Sequence, residues 1–385
     1  MSWVEVSAGR LVANYRVLCR AAGIPVLAVV KANAYGHGAA VCAPVLAHAG
    51  AEWLGVTDAA EGGVVRVAME AAGIAREVQP RVLVMSGLLP EDAETLVRED
   101  LTPVIWTVEQ MQWLRSAVET VRPGTTLAVH LEIDSGMTRQ GIVPGAGLEV
   151  LLAELNGSRV LRLDGVMTHF ASAEVAGSAQ TSKQWSAFSL AMRQVRGSGV
   201  IPAWVHVGNT SGVDLSGAMV EELERVAGKG SQVMVRAGLG LYGYCLPLEG
   251  GGAAQVRPEV SPVLTWKTRV TGVREVEVGA AVGYGGTFVT ERRMRLALLP
   301  VGYADGLRRE LSGRGWVVLG GKRAAIVGRV SMNLTVVDVT GVKVAVGDEV
   351  VVLGEGCTAE DHAVLCGTIA YEILCGMRAH TGWVA

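Results

Sequence analysis

The chain lacks a strong excess of charge of either sign and any apolar run of membrane-spanning length. Its formal net charge is −3 over 385 residues, so no broad electrostatic attraction to nucleic acid is expected. No apolar stretch approaches the ~20 residues that cross a bilayer as a helix. Residues 1–6 contain no basic stretch followed by an apolar one, which argues against a signal peptide. We therefore expect a cytoplasmic protein that binds neither nucleic acid nor a membrane.

Closely spaced cysteines of a metal site are also absent. None of the cysteines forms a Cys-x-x-Cys pair near histidine, so no metal centre is predicted. A chain of this length with 50% hydrophobic residues does not need disulfides to build a core. We interpret the thiols as reduced and mostly buried. The six positions are Cys19, Cys42, Cys245, Cys357, Cys366 and Cys375.

Short apolar runs recur along the first 250 residues, with helix-like segments such as 91–98, 108–120 and 182–196 between them. Alternation of strands and helices is typical of a parallel sheet. Eight such runs favour a closed βα barrel of the TIM type, with an open doubly wound sheet as the alternative. The predicted strands are 26–30, 53–57, 82–85, 103–106, 127–133, 163–169, 204–208 and 233–236.

Most of the predicted barrel strands end on or near a polar residue that is chemically capable. These residues are Lys31, Glu132, His169, His206 and Arg236. Barrel enzymes place their sites at the carboxyl ends of the strands. The pattern therefore predicts a ring of functional groups at one end of the barrel.

The pattern of predicted elements changes near residue 250, and residues 250–254 are a candidate linker. Predicted strands then follow at 263–270, 295–301, 316–319, 324–330, 335–339 and 349–353, and the segment starting near Thr358 is the only clear helix. This pattern indicates a mostly antiparallel β domain. We expect the barrel at 8–250 and the β domain at 251–385.

Lys31 ends the first barrel strand and opens a Gly-containing turn. An ammonium held there must be desolvated or paired, which favours a neutral amine that attacks carbonyls. The plainer alternative is a lysine that leaves the core for water, and spacing alone does not decide. Residues 28–38, Ala-Val-Val-Lys-Ala-Asn-Ala-Tyr-Gly-His-Gly, closely resemble the cofactor attachment motif of bacterial alanine racemases, pyridoxal 5'-phosphate (PLP) enzymes of fold type III. The resemblance implies that Lys31 carries PLP, that Tyr35 contacts its phosphate and that residues 1–7 join the β domain.

Further segments match this family in order. Residues 236–243 resemble its Arg-x-Gly-Leu-x-Leu-Tyr-Gly segment, although a turn needing positive φ is the simpler interpretation of those glycines alone. The resemblance implies that Arg236 faces the pyridine nitrogen and that Gly238 and Leu239 bind phosphate. An arginine stays protonated and donates, so the ring nitrogen stays neutral and a weaker electron sink, which suits racemisation over transamination.

Other phosphate and ring contacts are implied in the same way. Residues 206–211 resemble the family's His-x-x-Asn-Ser, which assigns phosphate binding to Asn209 and to either Thr210 or Ser211. His169, otherwise a satisfied core histidine, matches the residue that stacks beside the cofactor ring. Tyr371 resembles the last phosphate-binding tyrosine, and an aromatic there favours alanine over serine.

Residues 134–141, Asp-Ser-Gly-Met-Thr-Arg-Gln-Gly, resemble the segment whose arginine approaches the cofactor phenolic oxygen and the substrate carboxylate. That role falls to Arg139. Many family members carry a carbamylated lysine seven residues earlier, where this chain has Glu132. Because a carboxylate pairs with guanidinium directly, we expect Glu132 to replace the carbamate.

Racemisation needs a second base opposite Lys31. Residues 282–288 resemble the family's catalytic tyrosine loop, which implies that Tyr284 enters the other subunit's site in a head-to-tail homodimer. Residues 328–333 and 302–306 match segments in which the backbone of Met332 binds substrate carboxylate and Tyr303 lines the entry. The predicted function is a PLP-dependent alanine racemase that supplies D-alanine for peptidoglycan. The alternatives are a racemase of serine or of broad specificity, a non-catalytic PLP-binding barrel, and a PLP-dependent amino-acid decarboxylase.

Overall fold

The computed structural model describes residues 2–214, 218–250, 254–378 and 380–384. Its strands, in chain order, are β1 Trp3–Ser7, β2 Val26–Val29, β3 Trp53–Val56, β4 Arg81–Val84, β5 Thr102–Ile105, β6 Leu127–Glu132, β7 Leu161–Met167, β8 Trp204–Val207, β9 Gln232–Ala237, β10 Leu264–Arg269, β11 Gly272–Val276, β12 Ala281–Val282, β13 Phe288–Val289, β14 Met294–Leu299, β15 Trp316–Leu319, β16 Lys322–Ala325, β17 Thr335–Asp338, β18 Glu349–Leu353 and β19 His380–Val384.

The helices are α1 Ala8–Ala22, α2 Ala39–His48, α3 Ala59–Ala71, α4 Ala93–Arg98, α5 Val108–Val121, α6 Ala146–Asn156, α7 Ala179–Gly197, α8 Thr210–Asp214, α9 Ala218–Ala227, α10 Ala359–Cys366 and α11 Ala370–Cys375. Short 3-10 turns lie at Arg76–Val78, Pro90–Asp92, Leu239–Tyr242, Tyr284–Gly286, Tyr303–Asp305 and Arg309–Leu311. No helix in these described ranges is both long and apolar enough to cross a membrane.

Two compact units divide the chain. One contains Leu11–Ala34 and Ala39–Ser261, and the other contains Met1–Arg10, Tyr35–Gly38 and Pro262–Ala385. Residues 251–253 of the predicted linker lie outside the described residues. The predicted domain boundary at residues 250 and 251 therefore stays a prediction.

The first unit is a closed barrel of eight parallel strands in the order β2 to β9. The ring closes where β2 pairs with β9, with Val26 opposite Val235. Every residue of β3, β5 and β8 is buried, as expected for strands covered on both faces. Helix α5 begins at a capping box, in which the Thr107 hydroxyl accepts from the Gln110 N–H and the Gln110 side chain accepts from the Thr107 N–H. The predicted barrel is confirmed, and the open doubly wound alternative is wrong.

The second unit is built from antiparallel sheets. A six-stranded sheet has the order β16-β15-β18-β10-β1-β19, a three-stranded sheet has the order β11-β14-β17, and β12 pairs with β13. The predicted β domain is confirmed. Strand β1 pairs antiparallel with β10 and parallel with β19, so the first residues join this domain as expected.

Several details of the β-domain prediction are wrong: strands β11, β12, β13 and β19 were not predicted, and two further differences have a physical reason. The strand expected at 324–330 is Lys322–Ala325, because the chain turns at Gly328 with φ of 72°. The helix expected near Thr358 is present, but a second helix, α11, follows it. Helix α11 has six residues and no side-chain hydrogen bond at its N-cap, Ile369, so the sequence contains no clear start signal.

Candidate active site

Lys31 follows β2 at the carboxyl end of the barrel and is partly exposed. The chain after it forms one turn of left-handed helix, in which φ lies between 51° and 55° for Ala32, Asn33, Ala34 and Tyr35. This conformation costs about 1–2 kcal/mol for each residue other than glycine. Backbone strain of this size persists only where the surrounding structure imposes it.

Contacts within the barrel unit hold the turn in place. The Asn33 N–H donates to Glu61 Oε1 at 3.2 Å, and Glu61 Oε2 accepts from the Thr57 N–H at 2.8 Å. The Asn33 side-chain oxygen accepts from the Ala39 N–H at 2.8 Å. Glu61 therefore joins the lysine's turn to the end of the next strand.

Arg236, on β9, is buried at the centre of the barrel mouth, with 3% of its surface exposed. Its Nη1 donates to His206 Nδ1 at 3.0 Å and to the His206 carbonyl at 3.1 Å. Its Nη2 donates to the Thr168 carbonyl at 2.7 Å and to His169 Nδ1 at 3.3 Å. Burial lowers the pKa of Arg236 to about 10, against the charge of Glu132, so the guanidinium stays protonated at neutral pH.

His169 is held neutral beside this guanidinium. Burial and then the positive charges of Arg236, Arg139 and Lys31 lower the pKa of His169 to about 3. Because its Nδ1 accepts from Arg236, the neutral ring carries its proton on Nε2. His169 therefore offers one N–H donor and no charge to the site.

Glu132 is buried at the end of β6, and its hydrogen-bond partner is Gln140, whose Nε2 also donates to the Met85 carbonyl at 2.8 Å. Burial raises the pKa of Glu132, opposed by the Gln140 hydrogen bond and the charges of Arg236 and Arg139. Arg139 therefore acts on the pKa of Glu132 by its charge. The predicted anchoring of Arg139 by Glu132 stays a prediction, and Gln140 was missed from the sequence.

The loop that leads to Arg139 has a fixed shape. Asp134 Oδ1 accepts from the N–H groups of Gly136 and Thr138 at 2.9 Å and 3.0 Å. Thr138 has φ of 58°, a left-handed conformation that this carboxylate stabilises. Arg139 itself is exposed, so its guanidinium is accessible to an anion.

Thr210 connects two of the predicted phosphate-binding segments. Its Oγ1 accepts from the N–H groups of Gly238 and Gly240 at 3.3 Å and 3.0 Å. A Cβ on Gly240 would lie 2.8 Å from Thr210 Cγ2, so the close approach needs glycine. Leu239, as the first residue of a 3-10 turn, has an N–H without a partner inside that turn.

The neighbouring residues complete this end of β8. Ser211 is buried with 2% of its surface exposed. The Asn209 side-chain oxygen accepts from the Gly212 N–H at 3.1 Å, so this side chain caps α8. Thr210, rather than Ser211, is the residue whose hydroxyl contacts the 238–240 loop.

Tyr35 and Tyr371 lie together in the β-domain unit, with ring centroids 5.8 Å apart. Burial raises the pKa of Tyr35, and the neighbouring phenol and thiol reinforce the shift. A phenol with a raised pKa stays protonated and can donate a hydrogen bond. Gly36, with φ of 79°, brings its backbone so near the Leu374 carbonyl that a Cβ would lie 2.3 Å from that oxygen.

Tyr284, Tyr303 and Met332 also belong to this unit, and all three are exposed, with 71%, 44% and 56% of their surfaces accessible. The segments that carry them lie side by side, since a Cβ on Gly283 would lie 3.4 Å from the Arg329 backbone nitrogen. The N–H groups of Tyr303 and Ala304 donate to the carbonyls of Ser331 and Met332 at 3.0 Å and 2.9 Å. The structure thus gathers the predicted barrel residues at one barrel end and these three in adjoining loops.

Comparison with known proteins matches both units to one family. The sequence model for the N-terminal domain of alanine racemase matches residues 6–246, and that for the C-terminal domain matches residues 263–383. An alanine racemase of Syntrophobacter fumaroxidans is 38% identical over 386 residues, covering 98% of this chain and 95% of that protein. The chain belongs to the alanine racemase family.

Solved alanine racemases have the same fold. The enzyme from Streptomyces coelicolor A3(2) superposes with a TM-score of 0.88 at 30% identity, covering 100% of this chain and 98% of that one. A Bartonella henselae alanine racemase with covalently bound pyridoxal phosphate superposes with a TM-score of 0.81 at 25% identity, covering 100% and 99%. The resemblance drawn from the sequence motifs is therefore confirmed, and the chain is an amino-acid racemase, an isomerase.

Three features of this alanine racemase site were missed from the sequence. The left-handed turn and its support by Glu61 carry no local signal, because alanine and tyrosine rarely adopt positive φ. Gln140 directly follows Arg139, and its polarity was the only available hint. His130 lies inside an apolar strand and bonds to His206 at 2.8 Å. A polar residue within such a strand was the signal that could have found it.

Proposed function

We propose that this alanine racemase family member interconverts L-alanine and D-alanine with PLP as its cofactor and two bases, Lys31 and Tyr284. We further propose that it works in the cytoplasm and supplies D-alanine for peptidoglycan. The observation that carries the proposal is the bonding of Arg236. Four of its five N–H groups are used on protein acceptors, and the Nε–H has no acceptor among the described residues.

The donor set fits PLP. The remaining Arg236 N–H is available to a pyridine nitrogen, which it keeps hydrogen-bonded and unprotonated. The proposed phosphate ligands of the barrel unit are the Thr210 hydroxyl with Asn209 and Ser211 and the backbone of Gly238 and Leu239. Those of the β-domain unit are the phenols of Tyr35 and Tyr371. PLP, when bound, supplies the electron-withdrawing ring that makes an amino acid's Cα proton removable.

Each of the chain's own site residues has a separate role in this proposal. The Lys31 amine takes or returns a proton on one face of Cα, and the Tyr284 phenol acts on the other face. As a base, Tyr284 needs a cationic neighbour that stabilises the phenolate at the moment of transfer. Arg139 and the Met332 backbone orient the substrate carboxylate. Neutral His169 positions the ring without adding charge, and Tyr303 lines the entry.

We propose that Tyr284 acts in the partner subunit's site of a head-to-tail homodimer. What supports this is the exposure of Tyr284, Tyr303, Met332 and Leu334, large apolar side chains in adjoining loops, at 44% or more of their surfaces. Exposed clusters of this kind mark interaction surfaces. Glycines at 283, 285 and 286, all with positive φ, present the Tyr284 ring.

The test of activity is a chiral assay of purified protein with L-alanine, before and after PLP is added back. L-Serine and L-lysine are run in parallel. Formation of D-alanine with a visible absorbance band that Lys31→Ala abolishes is expected. Preferred turnover of serine or lysine would change the assigned substrate, and carbon dioxide release would indicate a decarboxylase. A preparation that stays colourless and inert with PLP would refute the proposal.

Mixing two inactive variants tests the shared site. Each hybrid dimer of Lys31→Ala and Tyr284→Phe would contain one site with both bases intact if Tyr284 acts across subunits. Random exchange should then restore about a quarter of wild-type activity. If both bases belonged to one subunit, every site in the hybrid would lack a base and no activity would return.

A further inference from the structure

A line of buried polar groups runs from Arg236 into the closed interior of the barrel. Arg236 Nη1 lies 3.0 Å from His206 Nδ1, and His206 Nε2 lies 2.8 Å from His130 Nδ1. His130 Nε2 in turn lies 3.8 Å from Asp164 Oδ2. Both histidines are 0% exposed and Asp164 is 2% exposed. We call these three residues, His206, His130 and Asp164, the interior chain.

The hydrogen bonds allow one protonation pattern. A guanidinium only donates, so His206 Nδ1 must accept, and its proton lies on Nε2. That N–H donates to His130 Nδ1, which places the His130 proton on Nε2, facing Asp164. Burial lowers the pKa of both histidines, so both rings stay neutral. Every N–H in the interior chain therefore points away from the positive Arg236 and toward the negative Asp164.

The inner end of the interior chain is anchored by charge. Asp164 lies 2.7 Å from Arg81 and 2.5 Å from Arg162. Burial acts to raise the pKa of Asp164, but contact with His130 and the charge of Arg81 outweigh it, so the carboxyl stays ionised. A permanent negative charge thus faces the His130 N–H.

The His130 ring is closely packed by its neighbours. A Cβ on Gly165 would lie 2.5 Å from two atoms of that ring and 2.6 Å from a third. The rings of Trp53 and His206 lie 5.1 Å and 5.0 Å away, centroid to centroid. Glycine at 165 is therefore needed to seat the ring where its Nδ1 meets His206.

We propose that His130, with Asp164 behind it, is a positioning residue for the racemase site. It fixes the His206 tautomer that accepts from Arg236, and so holds the guanidinium with its Nε–H directed to the cofactor nitrogen. This inference rests on the proposed function for the role of Arg236. The hydrogen-bond pattern itself does not depend on catalysis.

The first test needs no substitution in the tested protein. Ring nitrogen NMR of histidine-labelled wild type, with and without PLP, should show His206 and His130 protonated on Nε2 and not titrating across about pH 6 to 8. The chain has seven histidines, so His206→Asn and His130→Asn assign the two signals. A proton on Nδ1 of either ring, or titration of either, would overturn the proposal even if D-alanine is formed. Loss of racemase activity alone would refute the proposed function and leave this pattern standing.

The second test compares two substitutions of His130. Phe keeps a flat ring but has no acceptor for His206, whereas Asn offers a carbonyl oxygen near the position of Nδ1. His130→Phe should lower the ratio of racemisation to transamination about tenfold or more. Without an acceptor at 130, the His206 tautomer that accepts from the charged Arg236 is no longer fixed. His130→Asn should keep the ratio near that of wild type. His48→Asn, on an exposed helix end, is the control and should leave it unchanged.

The outcomes are distinct. An unchanged ratio in His130→Phe, with PLP bound and the circular dichroism of wild type, would overturn the positioning role. Equal losses in the Phe and Asn variants would also overturn it, because a merely structural role would not distinguish an acceptor from its absence. A ratio that falls in His130→Phe and recovers in His130→Asn supports it.

Discussion

Replacing Gly165 by alanine is the sharpest test of how the barrel interior is packed. The added Cβ would lie 2.5 Å from the His130 ring, whereas ordinary contact begins at 3.4 Å, so the ring must retreat by about 0.9 Å. The ring is fully buried and is held by Trp53 and by its hydrogen bond to His206 at 2.8 Å.

The expected loss of stability follows from two opposing effects. Overpacking of a buried site costs about 1–3 kcal/mol. Alanine restricts the unfolded chain more than glycine and returns about 0.4–1 kcal/mol, since Gly165 does not have positive φ. Gly165→Ala should therefore lose about 1–2 kcal/mol, which in a chain of this length lowers the melting temperature by about 1–3 °C. Differential scanning calorimetry of the purified protein measures it.

Gly63 supplies a matched control. It lies in helix α3, and a Cβ there would meet no atom within 4 Å. Gly63→Ala should stabilise the protein by about 0.5–1 kcal/mol, the usual gain for alanine in a helix. If Gly165→Ala melted at or above the wild-type temperature while Gly63→Ala behaved as expected, the described packing around His130 would be refuted.

Three further predictions concern charge at the site. Arg236→Glu should raise the transamination by-product at least about tenfold, because a carboxylate favours a protonated ring nitrogen; pyruvate measured against D-alanine decides it, and no increase contradicts the role of Arg236. Wild-type activity should not depend on bicarbonate, whereas Glu132→Lys should need it; assays in degassed and bicarbonate buffers compare them, and a bicarbonate requirement in wild type would contradict the idea. For His169, with its pKa lowered to about 3, the unfolded chain binds a proton below about pH 6.5 that the folded chain does not. Stability should therefore fall by about 1–2 kcal/mol more between pH 7 and pH 5 in wild type than in His169→Asn, by urea unfolding; equal losses would count against a neutral His169.

Much of the barrel was predictable because its strands are short and apolar and are separated by helices. The polar residues at the ends of most strands followed from position alone, and Arg236 and His169 do lie together at the barrel mouth. The β domain was harder. Its strands are short and interrupted by glycines, so strand β16 was placed too late and helix α11 was missed.

What the sequence could not supply is geometry that depends on distant parts of the chain. The support of Asn33 by Glu61 joins residues 28 positions apart, and the bond between His130 and His206 joins residues 76 apart. Neither pair has a local pattern. Gln140 sits beside Arg139 in sequence, yet its side chain bonds to Glu132, eight positions earlier in the chain.

The four left-handed residues after Lys31 also imply that the direction of this lysine is fixed only in the folded chain. An isolated peptide of this sequence would not adopt these dihedral angles, since they cost about 1–2 kcal/mol per residue. In a nascent or partly unfolded chain, Lys31 is an ordinary flexible amine with no preferred direction. If Lys31 carries the cofactor, as proposed, the contact between Glu61 and Asn33 must form first, so selective binding of the aldehyde follows closure of the barrel.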